Sequence, residues 1–367
     1  MSLVCREITE KKQTGFTHHR GTEDAERESF KPKILCVLGV SVVNPEFQLF
    51  VRLCGGGFFA VKKIIMPELP DVTVYIEALE ERVLNQPILQ VRIGSPFIVR
   101  SYDPPITESQ GKKVLGFRRL GKRIIFELED NLFLVLHLMI AGRLHWKPKN
   151  AKIARKYGLA AFDFPNGTLL LTEAGTKKRA SLHLVRGLSA LDDLDPKGLE
   201  IFDMDLNAFR EALTRENHTL KRSLTDPHLF SGIGNAYSDE ILHRARLSPV
   251  RLTQQLSATE IETLYHAVRE TLNEWIERLR KQRGKEFPEH VTAFRDEMAV
   301  HGKYRKPCPV CGSPVQRIVH AENETNYCAR CQTGGKLLAD RSLSRLLKKD
   351  WPRTLEELEE TRRSRMA

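Results

Sequence analysis

From Asp71 onward the apolar residues fall at helical spacing: Val72, Tyr75, Ile76, Leu79 and Val83 recur, and Glu68 and Asp71 stand at the end where a helix start favours negative charge. This pattern predicts an amphipathic helix. Seven short aliphatic and aromatic runs follow, "ILQVRI", "KVLGFRRL", "RIIFELE", "LFLVLHLM", "LAAFDF", "TLLLTE" and "ASLHLVR", most of them separated by turn formers such as "EDN" and "PNG". Runs of that length and spacing predict a β-sandwich or barrel that ends near residue 190, where the linker "LDDLDPKGLE" begins. The period then becomes helical, most clearly in "SATEIETLYHAVRETLNEWIERL", where Ser257 and Glu260 form a capping box ahead of Ile261, Leu264, Val268 and Leu272. The expected fold class is therefore α+β, a β-rich half preceding a helical half. Residues 1–65 show no sustained period and mix "TEDAERESF" with the glycine run "CGGGFF", so poor order is expected there.

Charge and cysteine placement narrow this picture. A formal charge of +11 and a pI near 9.3 call for an acidic partner; nucleic acid is the commonest large one, and an anionic membrane surface satisfies the same arithmetic. The apolar run Ile34–Val43 is far too short to span a bilayer, and a cytosolic protein is expected. Of seven cysteines, four lie at 308, 311, 328 and 331, three in the first 54 residues and none from 55 to 307. A disulfide framework would spread its cysteines over the body it staples, so this clustering points to a metal site in a reducing compartment.

The spacing Cys308-x2-Cys311-x16-Cys328-x2-Cys331 supplies two tight knuckles whose thiolates complete a tetrahedron around one structural Zn²⁺. Four thiolates leave no open coordination position, so the metal is expected to fold the module and perform no chemistry. In "HTLKRSLTDPHLFSGIGNAYSDEILHRARLSP" a glycine-bearing turn precedes Asn235, placed to cap a helix from Ala236. The exposed N–H groups of such a helix start, with Lys221 and Arg222 ahead of it, can grip a phosphate; a capped helical hairpin with solvated charges fits the segment equally well. Basic clusters at "FRRLGKR" (117–123), which holds Lys122, and "GTKKRAS" (175–181), which holds Lys178 and Arg179, can meet phosphates or simply guard sheet edges.

The last motif is "MPELPDV" at Met66–Val72. A proline at a free N-terminus is a secondary amine able to attack C1′ of a nucleotide sugar and form an iminium, whereas within a chain the same nitrogen is an amide without a usable lone pair. Glu68 beside it can move protons to and from the sugar. Taken alone, the motif reads first as a helix preceded by prolines, ahead of the catalytic reading.

Together and in this order, the pieces from about residue 66 to 333 resemble the formamidopyrimidine-DNA glycosylase and endonuclease VIII family of base-excision repair enzymes. The resemblance rests on Met66–Pro70, the β-rich runs, the Gly232–Tyr237 turn and the Cys308–Cys331 finger. It implies a β-sandwich catalytic domain with a leading helix at 66–190, a helix-two-turn-helix DNA-binding domain at 200–300 and a zinc finger at 301–333; the tail at 334–367 extends past the family's usual end and reads as helical from its own pattern. Residues 1–65 would be a disordered or non-native extension, with the mature chain beginning at Pro67. Pro67 would be the nucleophile, Glu68 its proton-transfer partner and Lys122 the sandwich lysine beside the lesion. Asn235 would hold a backbone phosphate, Glu240 would be a helix acid of the same element, and Lys221, Tyr237, Lys178 and Arg179 would complete the DNA surface. The implied activity is excision of damaged bases, oxidised ones foremost, followed by β,δ-elimination. The implied partner is damaged double-stranded DNA, met by a monomer in the bacterial cytoplasm.

The departures are specific. Asn323, between Glu322 and Glu324, stands where the family carries a finger arginine; "TEAGTKKRAS" replaces the gap-filling loop; Ile140 replaces the sandwich methionine. The tail adds Lys336, Arg341, Arg345, Lys348 and Lys349, which could supply contacts the finger lacks. A scaffold that binds lesions without turnover is the alternative reading. A zinc-ribbon RNA-binding factor, with no use for Pro67 or Glu68, ranks lower.

Overall fold

The structure, a computed structural model, describes residues 50–52, 58–60, 66–175, 177–289, 295–320, 323–339 and 351–366. It falls into two units, 1–62 and 63–367. Within the first, strands β1 (Phe50–Arg52) and β2 (Phe58–Ala60) pair antiparallel, with Phe50 opposite Ala60. The order expected of residues 1–65 otherwise lies outside the described residues.

The second unit opens with α1 (Leu69–Val83). Pro70 in the first turn costs no hydrogen bond, and the Asp71 carboxylate accepts the Glu68 N–H at 3.0 Å, closing the helix start. The predicted stripe is real: Val72, Tyr75, Leu79 and Val83 are fully buried, each contributing about 1.5–3 kcal/mol.

Eight strands follow: β3 (Gln90–Ile93), β4 (Val114–Leu120), β5 (Arg123–Leu128), β6 (Leu132–His137), β7 (Gly142–Lys147), β8 (Gly158–Phe164), β9 (Gly167–Glu173) and β10 (Ser181–Arg186). They form two four-stranded antiparallel sheets, ordered β10-β6-β5-β4 and β3-β8-β9-β7. One core fills the space between them: Ile124, Phe126, Leu134 and Leu136 from the first sheet meet Phe162, Leu169 and Leu171 from the second, and the apolar face of α1 closes one side. The β-sandwich is thus as expected, with one strand added. The run "GRLHWK" carries only Leu144 and Trp146 as its alternating pair, too short a signal to register, yet it forms an edge strand through six residue pairs with β9.

After α2 (Leu188–Asp192), helices α3 (Leu206–Thr214), α4 (Leu220–Thr225), α5 (Asn235–Arg244) and α6 (Ala258–Arg283) build a second core around Phe209, Phe230, Tyr237, Leu264 and Trp275. Leu69, the first residue of α1, belongs to this helical core, whereas the rest of α1 serves the sandwich. Side by side, α1 and α6 are clasped by Glu77–Arg280 (3.0 Å) and Glu81–Arg283 (2.6 and 2.8 Å). Both pairs keep one partner open to solvent, where ion pairs give about 0.2–1 kcal/mol each, so apolar burial does most of the joining.

The C-terminal hairpin, β11 (Gln316–His320) and β12 (Asn323–Tyr327), is followed by α7 (Ala329–Thr333). The chain then returns. Leu337 N–H donates to the Arg353 carbonyl and Leu355 N–H to that of Gly335, so that α8 (Leu355–Met366) places Leu355 and Leu358 with Leu337 against Ile318, Tyr327 and Ala329. The tail is therefore packed on the finger. Among the described residues no helix is long and apolar enough to cross a membrane.

Candidate functional site

Site geometry starts from an unmet need. The first amides of α5 point along its axis with no partner inside the helix. Sequence reasoning gave the capping role to Asn235, and the structure corrects this: Asn235 is the first helical residue, the cap position is Gly234, and the carboxylate that fills the helix start comes from Glu68, 166 residues earlier. Glu68 accepts the N–H of Gly234 at 2.6 Å, of Ala236 at 2.8 Å and of Tyr237 at 3.3 Å. Such a long-range cap has no local sequence signature.

Two glycines make the approach possible. The Gly232 carbonyl accepts the Leu69 N–H at 2.9 Å, and Gly232 has φ +83°, a conformation glycine adopts without strain. A Cβ at Gly234 would lie 2.5 Å from Glu68 Cδ and 2.7 Å from Lys122 Nζ, so Lys122 and Glu68 crowd the same face of this turn. Glu68 and Lys122 are thereby brought together, and Pro67 is the residue before Glu68. Pro67 is buried and Glu68 is 1 % exposed; in the chain as given, Met66 acylates the Pro67 nitrogen.

The electrostatics follow from burial. Desolvation raises the Glu68 pKa, against the lowering effects of Lys122 and the Ala236 N–H. Desolvation lowers the pKa of Lys122, opposed by Glu68 and reinforced by Lys221. Each group is pushed toward its neutral form. Asp71, which braces the Glu68 backbone, is likewise raised by burial, with Arg295 at 3.2 Å opposing.

The remaining expected residues divide. Lys221 points inward: its Nζ donates to the Asn235 carbonyl at 2.6 Å and pairs with buried Asp239. The Asn235 side-chain amide donates to the Glu324 carbonyl of the finger at 3.0 Å. Tyr237 is wholly buried against Trp275, so a direct DNA contact by its ring is corrected to a core role; its N–H serves the cap. Glu240 is an acid of α5 and turns inward: it accepts the N–H groups of Ala299, Val300 and His301 at 2.7, 2.9 and 2.9 Å and anchors the segment leading to the finger. Lys178 and Arg179 are exposed on the loop before β10, which lies against the Ile140–Ala141 turn: a Cβ on Gly175 would be 3.4 Å from that of Ala141. Asn323 is exposed at the hairpin start, Lys336 is exposed, and Glu322, Arg341, Arg345, Lys348 and Lys349 lie outside the described residues.

Two participants escaped the sequence reading. Arg119 donates to the Gly121 carbonyl (2.8 Å) and Ser231 Oγ (3.1 Å) and pairs with Glu200, locking the hairpin that bears Lys122 to the turn that bears Gly232. Its sequence signal is its place in the basic cluster "FRRLGKR", which does not tell an inward-facing arginine from a surface one. His137, at the end of β6, has a buried Nε2 without a partner among the described residues; burial, then Arg123, Lys122 and His183, pushes its pKa down to about 4.

The four finger sulfurs lie within 4.8 Å of one another, with Cys311–Cys328 at 3.4 Å and Cys308–Cys331 at 3.9 Å. Sulfurs tetrahedrally placed about 2.3 Å from Zn²⁺ would be about 3.8 Å apart, so the donor set fits one structural zinc ion.

A β-sandwich and a helical body that share one leading helix, with a cysteine finger docked on the helix gripping a carboxylate, define the class of zinc-finger proteins with a helix-two-turn-helix element. Three family models match: the formamidopyrimidine-DNA glycosylase N-terminal domain over residues 66–176, its H2TH domain over 195–285, and the zinc finger found in FPG and IleRS over 305–334. The formamidopyrimidine-DNA glycosylase of Thermus thermophilus is 32% identical over 279 residues, 74% of this chain and 100% of that protein; that of Desulforamulus reducens is 30% identical over 281 residues, covering 73% and 99%. Among solved structures, a Lactococcus lactis Fpg in complex with DNA containing an abasic site shares 29% identity with a TM-score of 0.65, over 72% of this chain and 99% of that one. The chain belongs to the formamidopyrimidine-DNA glycosylase family.

Proposed function

We propose that this chain is a base-excision repair DNA glycosylase and abasic-site lyase that works through a free Pro67 amine on damaged duplex DNA. The observation that carries the reading is the Glu68 carboxylate, one residue from Pro67, held by the start of α5 with Lys122 beside it. The target nucleotide leaves the stack. The Pro67 nitrogen lone pair attacks C1′, the C1′–N bond to the base breaks, and the departing base takes a proton. Loss of the ring-oxygen bond gives the iminium, with Glu68 moving the proton on and off O4′. Removal of a C2′ proton expels the 3′ phosphate, and a second elimination expels the 5′ phosphate, so the strand is cut on both sides. Lys122, beside the lesion, and the exposed Lys178 and Arg179 meet backbone phosphates, as does Asn235 once its amide leaves the Glu324 carbonyl. A monomer in the bacterial cytoplasm, at the nucleoid, suffices.

The experiment is borohydride trapping on abasic duplex DNA. A chain beginning at Pro67 should become covalently linked, and one retaining Met66 should not. Failure of the Pro67 chain to trap while it still binds would favour a lesion binder without turnover. That second reading is motivated by Asn323 at the finger tip and by the amide of Asn235 being bonded within the protein. Intact mass of natively expressed protein reports whether the working chain starts at Pro67.

A further inference from the structure

Helix α5 is buried along most of its length, from Ala236 to His243, although it carries Asp239, Glu240 and His243. Each faces the finger or its lead-in. Asp239 accepts the Asn326 N–H at 3.1 Å and pairs with His301 at 2.8 Å; Glu240 takes the amides at 299–301; and His243 places Nε2 3.2 Å from the sulfur of Cys308. His243 is 6 % exposed and Cys308 2 %, so the contact is closed to solvent. A metal-bound thiolate carries no hydrogen, and a bare ring nitrogen at that distance would set two lone pairs against each other. Only a protonated Nε2 makes the contact favourable.

We propose that His243 is a positioning residue of the zinc site, donating its Nε2–H to the Cys308 thiolate and so fastening the metal to the helix that holds Glu68. The donor draws charge from the sulfur, which slows its protonation and loss from the metal, and it fixes the sulfur's direction. Outer partners of this kind are worth 10- to 100-fold in metal affinity. From Ala236, whose N–H meets Glu68, to His243 is seven rises of about 1.5 Å, so roughly 10 Å of α5 separates the Glu68 cradle from the residue at the Cys308 sulfur.

The test uses the full chain loaded with Zn²⁺ or Co²⁺. His243→Phe should release zinc to a chelator about 10- to 100-fold faster and move the thiolate-to-cobalt charge-transfer band to longer wavelength. His243→Gln, which keeps an N–H donor, should recover part of both. Glu240→Gln, which disturbs the docking without touching a sulfur, should leave the band in place. Nitrogen-15 NMR of the unaltered zinc protein should show His243 protonated at Nε2, and this arm stands even if His243→Phe does not fold. An unprotonated Nε2, or a His243→Phe protein with unchanged band and zinc release, overturns the proposal.

Discussion

Gly234→Ala isolates the contact on which the site depends. The new Cβ would lie 2.5 Å from Glu68 Cδ, 2.6 Å from Oε1 and 2.7 Å from Lys122 Nζ. Gly234 has φ −132° and ψ −158°, extended backbone that alanine adopts freely, so the cost is purely steric. To regain ordinary contact at 3.4 Å the carboxylate must retreat by roughly 0.9 Å, which pulls it out of range of the Gly234 N–H and loosens the bond from Ala236. Losing one charge-assisted bond costs about 1.5–3 kcal/mol, and overpacking about 1–3 kcal/mol. A loss near 3 kcal/mol, set against an unfolding entropy of about 2.1 cal/mol/K per residue, should lower Tm by roughly 4 °C in a chain of 367 residues. If Glu68 carries the proton as proposed, displacing it by about 1 Å should slow the reaction about 100-fold. The assay is single-turnover borohydride trapping by protein beginning at Pro67, with circular dichroism melts alongside. Gly111→Ala is the control: Gly111 has φ +80° and nothing near its Cβ, so it should cost about 1–2 kcal/mol of strain and leave trapping intact. Wild-type trapping by Gly234→Ala, or equal losses in the two variants, would refute the reasoning.

Lys221→Met removes the cation that faces buried Asp239 and should cost about 3–5 kcal/mol in urea titrations; an unmoved midpoint would show that His301 and Asn326 suffice. His137, lowered from 6.5 to about 4, binds a proton less readily folded than unfolded, so its contribution is full above pH 6.5 and is lost as pH falls toward 4. At 1.36 kcal/mol per unit it is worth at most about 3 kcal/mol, and His137→Gln should flatten the stability curve across that window. Truncation after Gly335 removes Leu337 and Leu355 from Ile318 and Tyr327, at about 1.5–3 kcal/mol for each buried side chain. It should speed zinc release and weaken DNA binding; a shortened protein that matches the full chain in both would make the tail dispensable to the finger.

Much of the architecture was legible because it is written in local periods. The aliphatic runs became strands, and the Ser257–Glu260 capping box formed with both bonds, at 2.8 and 3.2 Å. The cysteine spacing converged four sulfurs. The edge strand β7 was missed because two alternating apolar residues barely rise above noise. The misassignments concentrate on α5, and for one reason. A motif says which residues travel together and leaves open which face of a helix meets solvent. Charge on a helix ordinarily marks the exposed side, but Glu240 is buried on amides 59 to 61 residues away and Asp239 on His301, 62 residues away, and Tyr237 fills the core between α5 and α6. The Glu68 cap on α5 is equally non-local, so neither end of that bond announces the other.

Under the proposed mechanism this arrangement lets one carboxylate be both fixed and able to exchange its proton. Three amide donors alone would bind the charged form and drive the pKa of Glu68 down, making it a good cap and a poor proton carrier. Burial acts in the opposite sense and prevails, and Lys122, itself discouraged from charge by the same burial, opposes it only in part. The donors therefore set the position of the carboxyl while desolvation sets its proton affinity. The two can be separated by experiment because they reside in different residues: loss of the Lys122 charge should raise the Glu68 pKa further without moving it, whereas a methyl group on Gly234 should move it.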